Sequence, residues 1–301
     1  MRRTARTPAG PPARTPTRTG SSGKSPTQVT RGRRPAGRDP RTAQSRNDDG
    51  IGGEQIEGRR SVLELLSAGR RKVYEVLLEE GMEASPILDE IERLAARQHV
   101  RVINTPPAKL YREARSHSHQ GVIARAVPLD TYTVDDLVMK AKSVPFIVVL
   151  DGVTDPHNLG SVLRSAECAG ATGVVIPRHR SARVSATAAK VASGAIEYLD
   201  FAVVGGIPAA LLELDKLGVA AIGLDPSASR SLYDISIHAS EPVALVLGSE
   251  EKGMSALSKK RCSVMASLPQ LGKIASLNVS AAGAIALYRV AQLRSAGQSG
   301  R

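Results

Sequence analysis

The sequence predicts an α/β protein of two folded domains, the second built on a parallel sheet, behind a basic amino-terminal arm. Three observations predict it. The carboxy-terminal half alternates continuous Val, Ile and Leu runs with segments of helical periodicity, as strands do when helices cover both faces of a parallel sheet. Residues 51–127 repeat the β/α alternation on a smaller scale. Residues 1–50 hold seven prolines, twelve Lys or Arg against three Asp, and almost no large apolar side chain. Such a composition cannot offset the entropy of ordering, and disorder is expected there.

In the small domain, residues 56–61 lead into a helix over 62–68 and a strand over 73–78. A helix entered at Pro86 places Ile87, Ile91, Leu94 and Ala95 on one face. A strand over 100–103, a helix over 108–114 and a last strand over 121–127 complete it, and 128–143 reads as a linker with a short helix. The second domain, 144–301, takes strands at 146–150, 173–176, 201–204, 219–224, 243–247 and 263–266. Its helices fall at 159–169, 186–193, 208–217 and 255–260, and from 279 onward.

A chain of 301 residues, 42% hydrophobic, can supply two cores. Its net charge of +12 is concentrated in the arm. An arginine-rich arm is most simply a polyanion tether, because each phosphate it neutralises releases counterions without reading sequence. An import presequence would share this composition. No apolar run of eighteen residues and no secretory leader pattern occurs, so no membrane partner and a cytoplasmic location are expected. Cys168 and Cys262 stand in apolar company and are expected to be buried reduced thiols. Neither they nor the six histidines have metal-site spacing, so no structural metal is expected. In this compartment the sequon at Asn278 is expected to carry no glycan.

Polar islands at 158–164, 248–253 and 276–280 each lie beside a strand-like run, where open α/β sheets place ligand-binding loops. The dinucleotide fingerprint G-x-G-x-x-G is absent, and Gly248-x-x-x-x-Gly253 is followed by Met254 where a P-loop needs lysine. A G-x-S-x-G hydrolase signature is missing too. The remaining inventory is Asn, Arg, Glu, Ser and Gly.

Those residues carry a resemblance. Asn158-x-Gly160-x-x-x-Arg164-x-Ala166 with Gly170, then Leu247-Gly248-x-Glu250-x-x-Gly253, then Leu268-Pro269 through Ser276-Leu277-Asn278-Val279-Ser280 resemble, in order and spacing, three motifs of one family. It is the SpoU, or TrmH-like, class of SPOUT RNA 2′-O-ribose methyltransferases, and the likeness spans residues 146–296. Gly58-Arg59-x-x-Val62-x-Glu64 and His119-Gln120-Gly121-Val122 are similar to the small substrate-binding domain of its RlmB type, which methylates a guanosine ribose in 23S ribosomal RNA.

The resemblance implies a trefoil knot near the carboxy terminus, S-adenosyl-L-methionine as cofactor, and a homodimer. It places Gly248, Leu268 and Leu277 at the cofactor, and Arg164, Asn158, Glu250, Ser276 and Asn278 in the catalytic motifs. A guanidinium is a poor base, so Arg164 is expected to anchor a substrate phosphate and to stabilise the developing alkoxide. Asn158 would position the ribose or cap a helix, and Glu250 would organise the loops by pairing with Arg164. Ser276 and Asn278 would orient substrate or cofactor, or cap the last helix. Arg59, Arg60, Arg70 and Arg71 form a basic run expected to contact RNA phosphates, with a solvated helix end as the alternative. With no Trp and two Phe, recognition by aromatic stacking is not expected to dominate. The expected partner is 23S ribosomal RNA or a ribosome assembly intermediate. Transfer RNA, another ribosomal nucleotide including an antibiotic-resistance target, and a non-catalytic assembly factor are the alternatives.

Overall fold

The computed structural model describes residues 50–179, 181–274 and 276–296, and the basic arm expected to be disordered lies outside them. The small domain runs β1 (Gln55–Glu57), α1 (Arg59–Ala68), β2 (Val73–Glu79), α2 (Pro86–Arg97), β3 (Arg101–Thr105), α3 (Pro107–Glu113) and β4 (Val122–Ala126). Its sheet has the order β1-β4-β2-β3, with β2 and β3 parallel and the other pairs antiparallel. Val62, Leu65 and Leu66 of α1 and Ile91 and Leu94 of α2 cluster with Val76 and Leu78 of β2, while Leu110 of α3 joins Leu77 and Ile123. The i, i+3, i+4 spacing of the apolar residues in α1 buries one stripe of that helix. Gly69 ends it in the left-handed conformation, φ 61°, where its N–H caps the Leu65 carbonyl.

The second domain continues with β5 (Thr131–Tyr132), α4 (Val134–Met139), β6 (Phe146–Asp151), α5 (Pro156–Cys168), β7 (Gly173–Pro177), α6 (Ala186–Val191), β8 (Asp200–Val204) and α7 (Ile207–Lys216). Then come β9 (Ala220–Leu224), β10 (Val243–Gly248), α8 (Ala256–Arg261), β11 (Val264–Ala266) and α9 (Val279–Ala296). Seven parallel strands lie in the order β11-β9-β10-β6-β7-β8-β5. Alternate residues of β6 serve two cores. Val148 and Leu150 pack with α5, α6 and α9, whereas Ile147 and Val149 pack with α4 and α7. The segment read as a linker is therefore partly sheet: β5 pairs with β8 through Thr131–Phe201 and Tyr132–Ala202, and a Thr133–Asp136 capping box starts α4.

Polar contacts bind the two domains. Arg71 is 1% exposed at its side chain; its Nη1 lies 3.0 Å from Glu197 Oε1, its Nε donates to the Val127 carbonyl at 2.6 Å, and its Nη2 donates to the Gly53 carbonyl. Arg70 pairs with Asp200 and donates to the carbonyls of Glu197 and Leu199. This corrects the expected RNA face. Arg71 is sealed inside the interdomain seam, and the guanidinium of Arg70 is committed to the second domain. Arg59 donates through Nε to the Gln120 carbonyl at 3.1 Å, and exposed Arg60 lies 3.6 Å from Glu64.

The two cysteines, both free, are less buried than expected: Cys168 is exposed at the end of α5, and Cys262 is half-buried. Burial, with Asp151 nearby, pushes the Cys262 thiol up to about 11. Burial and Glu167 also raise Cys168, so access sets the order of reaction. Iodoacetamide at neutral pH should modify Cys168 about tenfold faster than Cys262 in the native protein. Peptide mass spectrometry over time would show it, and equal rates would contradict the burial difference.

Candidate active site

The three islands meet at the carboxyl ends of β6 and β10. Asp155, not Asn158, caps α5, accepting from the His157 and Asn158 amides with Pro156 at the first helical position. The side chain of Asn158, in a buried residue, is thereby released from capping and donates through Nδ2 to Glu250 Oε2 at 2.9 Å. Asn278 Nδ2 donates to Glu250 Oε1 at 2.6 Å and to Asn158 Oδ1 at 3.0 Å. These three residues close a ring of hydrogen bonds. Asn278 has a second role, because its Oδ1 accepts from the Ser280 and Ala281 amides and caps α9.

Backbone geometry places Glu250. A Cβ on Gly248 would stand 2.2 Å from the Met254 nitrogen and 2.3 Å from the Gly253 carbonyl carbon, so only glycine lets the 249–253 loop fold back over the strand end. Ser249 and Gly253 then exchange backbone hydrogen bonds of 3.1 and 2.9 Å, which makes Glu250 the start of a tight turn.

Beside the ring lies a cavity of ≈ 410 Å³, within the size range of small-molecule sites. Gly248, Glu250, Leu268, Ser276 and Leu277 all line it. Leu277 is 41% exposed and forms wall alone, whereas Leu268 is buried and belongs to the hydrophobic core as well as to the cavity wall. Asp225 and Lys259 also line the cavity, and sequence reading missed them because they belong to none of the islands. They form an ion pair. Burial alone would raise the Asp225 carboxyl, but Lys259 and Ser227 outweigh it and hold it below the usual range.

Arg164 does not join the ring. It is exposed, and its Nη1 donates to Ser193 Oγ at 3.3 Å, so the expected pairing with Glu250 is replaced by a bond to the residue just beyond α6. Gly160 explains the position of α6: a Cβ there would stand 2.6 Å from the Ala188 carbonyl oxygen and 2.7 Å from Val191 Cβ. Close approach of the two helices thus sets where Ser193 meets Arg164. Among the described residues no cluster of His, Cys, Asp and Glu could hold a metal ion, and no helix is long and apolar enough to cross a membrane.

This constellation has relatives. The SpoU rRNA Methylase family matches residues 145–288, and the RNA 2′-O ribose methyltransferase substrate binding family matches residues 55–132. The chain is 35% identical over 244 residues to a putative TrmH family tRNA/rRNA methyltransferase, YacO, of Bacillus subtilis, covering 80% of this chain and 96% of that protein. It is 39% identical over 242 residues to the 23S rRNA (guanosine-2′-O-)-methyltransferase RlmB of Xylella fastidiosa, covering 79% and 96%. The fold is similar to the SpoU methyltransferase AviRb from Streptomyces viridochromogenes, with a TM-score of 0.69 at 20% identity over 86% of this chain and 94% of that one. With its ring of Asn158, Glu250 and Asn278 and its two matched domains, the chain belongs to the SpoU rRNA methylase family.

Proposed function

We propose that the protein is a cytoplasmic enzyme that methylates a guanosine ribose 2′-hydroxyl in 23S ribosomal RNA, using S-adenosyl-L-methionine. One observation carries the reading most directly: the Asn158–Glu250–Asn278 ring stands at the edge of the cavity lined by Gly248, Leu268 and Leu277. The cavity fits the cofactor's chemistry. Leu247, Leu268, Leu277, Val279 and Ala282 offer an apolar slot for a flat base, and the carboxylates of Glu250 and Glu251 on the same wall would suit a cationic group, the Asp225 charge being already paired with Lys259. When bound, the cofactor supplies an electrophilic methyl group.

The chain's own residues then do the orienting. The ring fixes the Glu250 and Asn158 side chains, and rigid placement of polar groups is what in-line transfer to a hydroxyl requires. Arg164, exposed and held by one bond to Ser193, can take a substrate phosphate and offset charge developing on the ribose oxygen. The reading includes a homodimer, supported by Ile285 and Tyr288, exposed on α9, and by Leu271 and Ile274, exposed in the loop before it. It includes the trefoil knot also. Support for it comes from the family matched over residues 145–288.

Labelled S-adenosylmethionine offered with 23S RNA, assembling large subunits or transfer RNA tests the substrate. The expected result is one 2′-O-methylguanosine in 23S RNA, naked or in an assembly intermediate. Label confined to transfer RNA would favour the alternative suggested by the relative named for tRNA/rRNA, and RNA binding without transfer would leave an assembly factor.

A further inference from the structure

Helix α6 touches both the Arg164 side of the second domain and one loop of the small domain. Lys190, in its last turn, donates through Nζ to Ser116 Oγ at 2.9 Å and to the carbonyl and hydroxyl oxygens of Ser118. From the opposite side, buried Glu57 accepts from the Arg115 amide at 2.6 Å, the Ser116 amide at 3.0 Å and the Ser116 hydroxyl. Ser116 Oγ is thus gripped between a carboxylate and an ammonium. The loop's far end is tied by Arg59, whose amide and Nε donate to Gln120 at 3.1 Å each. Gln120 and Gly121 both take positive φ, 55° and 76°. The loop's outer face carries His117, exposed, whose Nδ1 lies 3.0 Å from the hydroxyl of Tyr111, itself 57% exposed.

The other end of the connection is Arg164. Three residues after Lys190, Ser193 sits at φ 52°, donates its amide to the Lys190 carbonyl at 2.9 Å, and accepts from Arg164 through Oγ. A short helix packed closely on α5 at Gly160 is therefore tied to Arg164 through Ser193, two residues past its end, and to the small domain's exposed loop through Lys190.

We propose that Lys190 is a positioning residue for substrate RNA: it locks the 115–120 loop, whose exposed His117 stands against Tyr111 of α3, in fixed register with Arg164. RNA held by that loop is then presented at a set distance from the arginine that takes its phosphate. The inference rests on the methyltransferase reading and extends it, since neither Lys190 nor this loop belongs to the ring or the cavity.

The full chain is compared with Lys190→Met and Lys190→Arg, with 23S RNA varied at saturating S-adenosylmethionine. Losing bonds from a charged donor should raise KM for RNA about tenfold in Lys190→Met. Cofactor affinity by calorimetry should stay at the wild-type value, and Lys190→Arg should recover most of the loss. A role confined to folding would lower the active fraction and kcat and leave KM unmoved. Hydrogen exchange at 115–121 in the free protein should be faster in Lys190→Met. An active wild type whose Lys190→Met variant keeps both KM and loop exchange sinks the inference alone. A wild type that methylates no RNA sinks the methyltransferase reading, and this inference with it.

Discussion

Glu250→Gln is expected to slow methyl transfer by about 100-fold while the protein stays folded. A carboxylate offers two acceptor oxygens, and both are used, Oε2 by Asn158 and Oε1 by Asn278. Glutamine keeps one carbonyl oxygen and turns an N–H2 group toward an amide that is itself a donor. One asparagine must then rotate. If Asn158 turns, its Oδ1 no longer accepts from Asn278, so a fault at one corner opens the ring. The cap on α9 uses Asn278 Oδ1, not the Nδ2 that serves the ring, and survives, so Tm should fall by no more than about 3 °C. Asn278→Ala should differ, adding to the activity loss a capping cost of about 1 kcal/mol. Initial rates and thermal melts on the two variants separate the effects, and a Glu250→Gln enzyme that keeps most of its rate would remove the ring from the mechanism.

The parts of this architecture that could be read from sequence are those fixed by local chemistry. Central strands β6, β7 and β10 are buried on both faces and so appear as unbroken apolar runs. The invisible strands are short. β1 is Gln-Ile-Glu, with polar ends that are buried because Gln55 and Glu57 bond each other and the 113–116 segment, and β5 is two residues recruited by an edge. The site divides in the same way. Glycine at 248 and a polar turn after it are visible in the chain, and the ordered motifs point to Asn158, Glu250 and Asn278. Which of these groups touch is decided by tertiary placement, and so the motifs suggest Glu250 as a partner for Arg164 where the fold supplies Ser193. Charge runs mislead for a related reason. Arg70, Arg71 and Lys72 look alike in sequence, but the carboxylate that claims Arg71 lies 126 residues away.

Arg71→Met should cost about 3–5 kcal/mol of stability, far more than a surface arginine would. Both members of the Arg71–Glu197 pair have 1% of their side-chain surface exposed, and Glu197 Oε2 accepts no hydrogen bond among the described residues. Burial already pushes the Glu197 carboxyl up, with Arg71 and then Arg70 opposing it. Methionine fills much of the arginine's volume but removes the larger opposing charge and leaves a carboxylate buried against apolar neighbours. The sign with pH follows. A carboxyl raised above its unfolded value makes the native state bind more protons than the unfolded chain, so stability is lost as pH rises through the carboxylate range and recovered as it falls. The deficit of Arg71→Met relative to wild type should therefore shrink on acidification toward the pH at which Glu197 is protonated. Glu197→Gln in the same chain should restore most of the loss at neutral pH, because no charge is then left unpaired. Arg70→Met is the control: its partner Asp200 is 34% exposed, and water replaces the lost contact, so the cost should stay near about 1 kcal/mol. Urea melts of the wild type and the three variants at neutral and acidic pH decide the matter. Equal costs for Arg70→Met and Arg71→Met would mean that the seam is held by shape rather than by its buried ion pair.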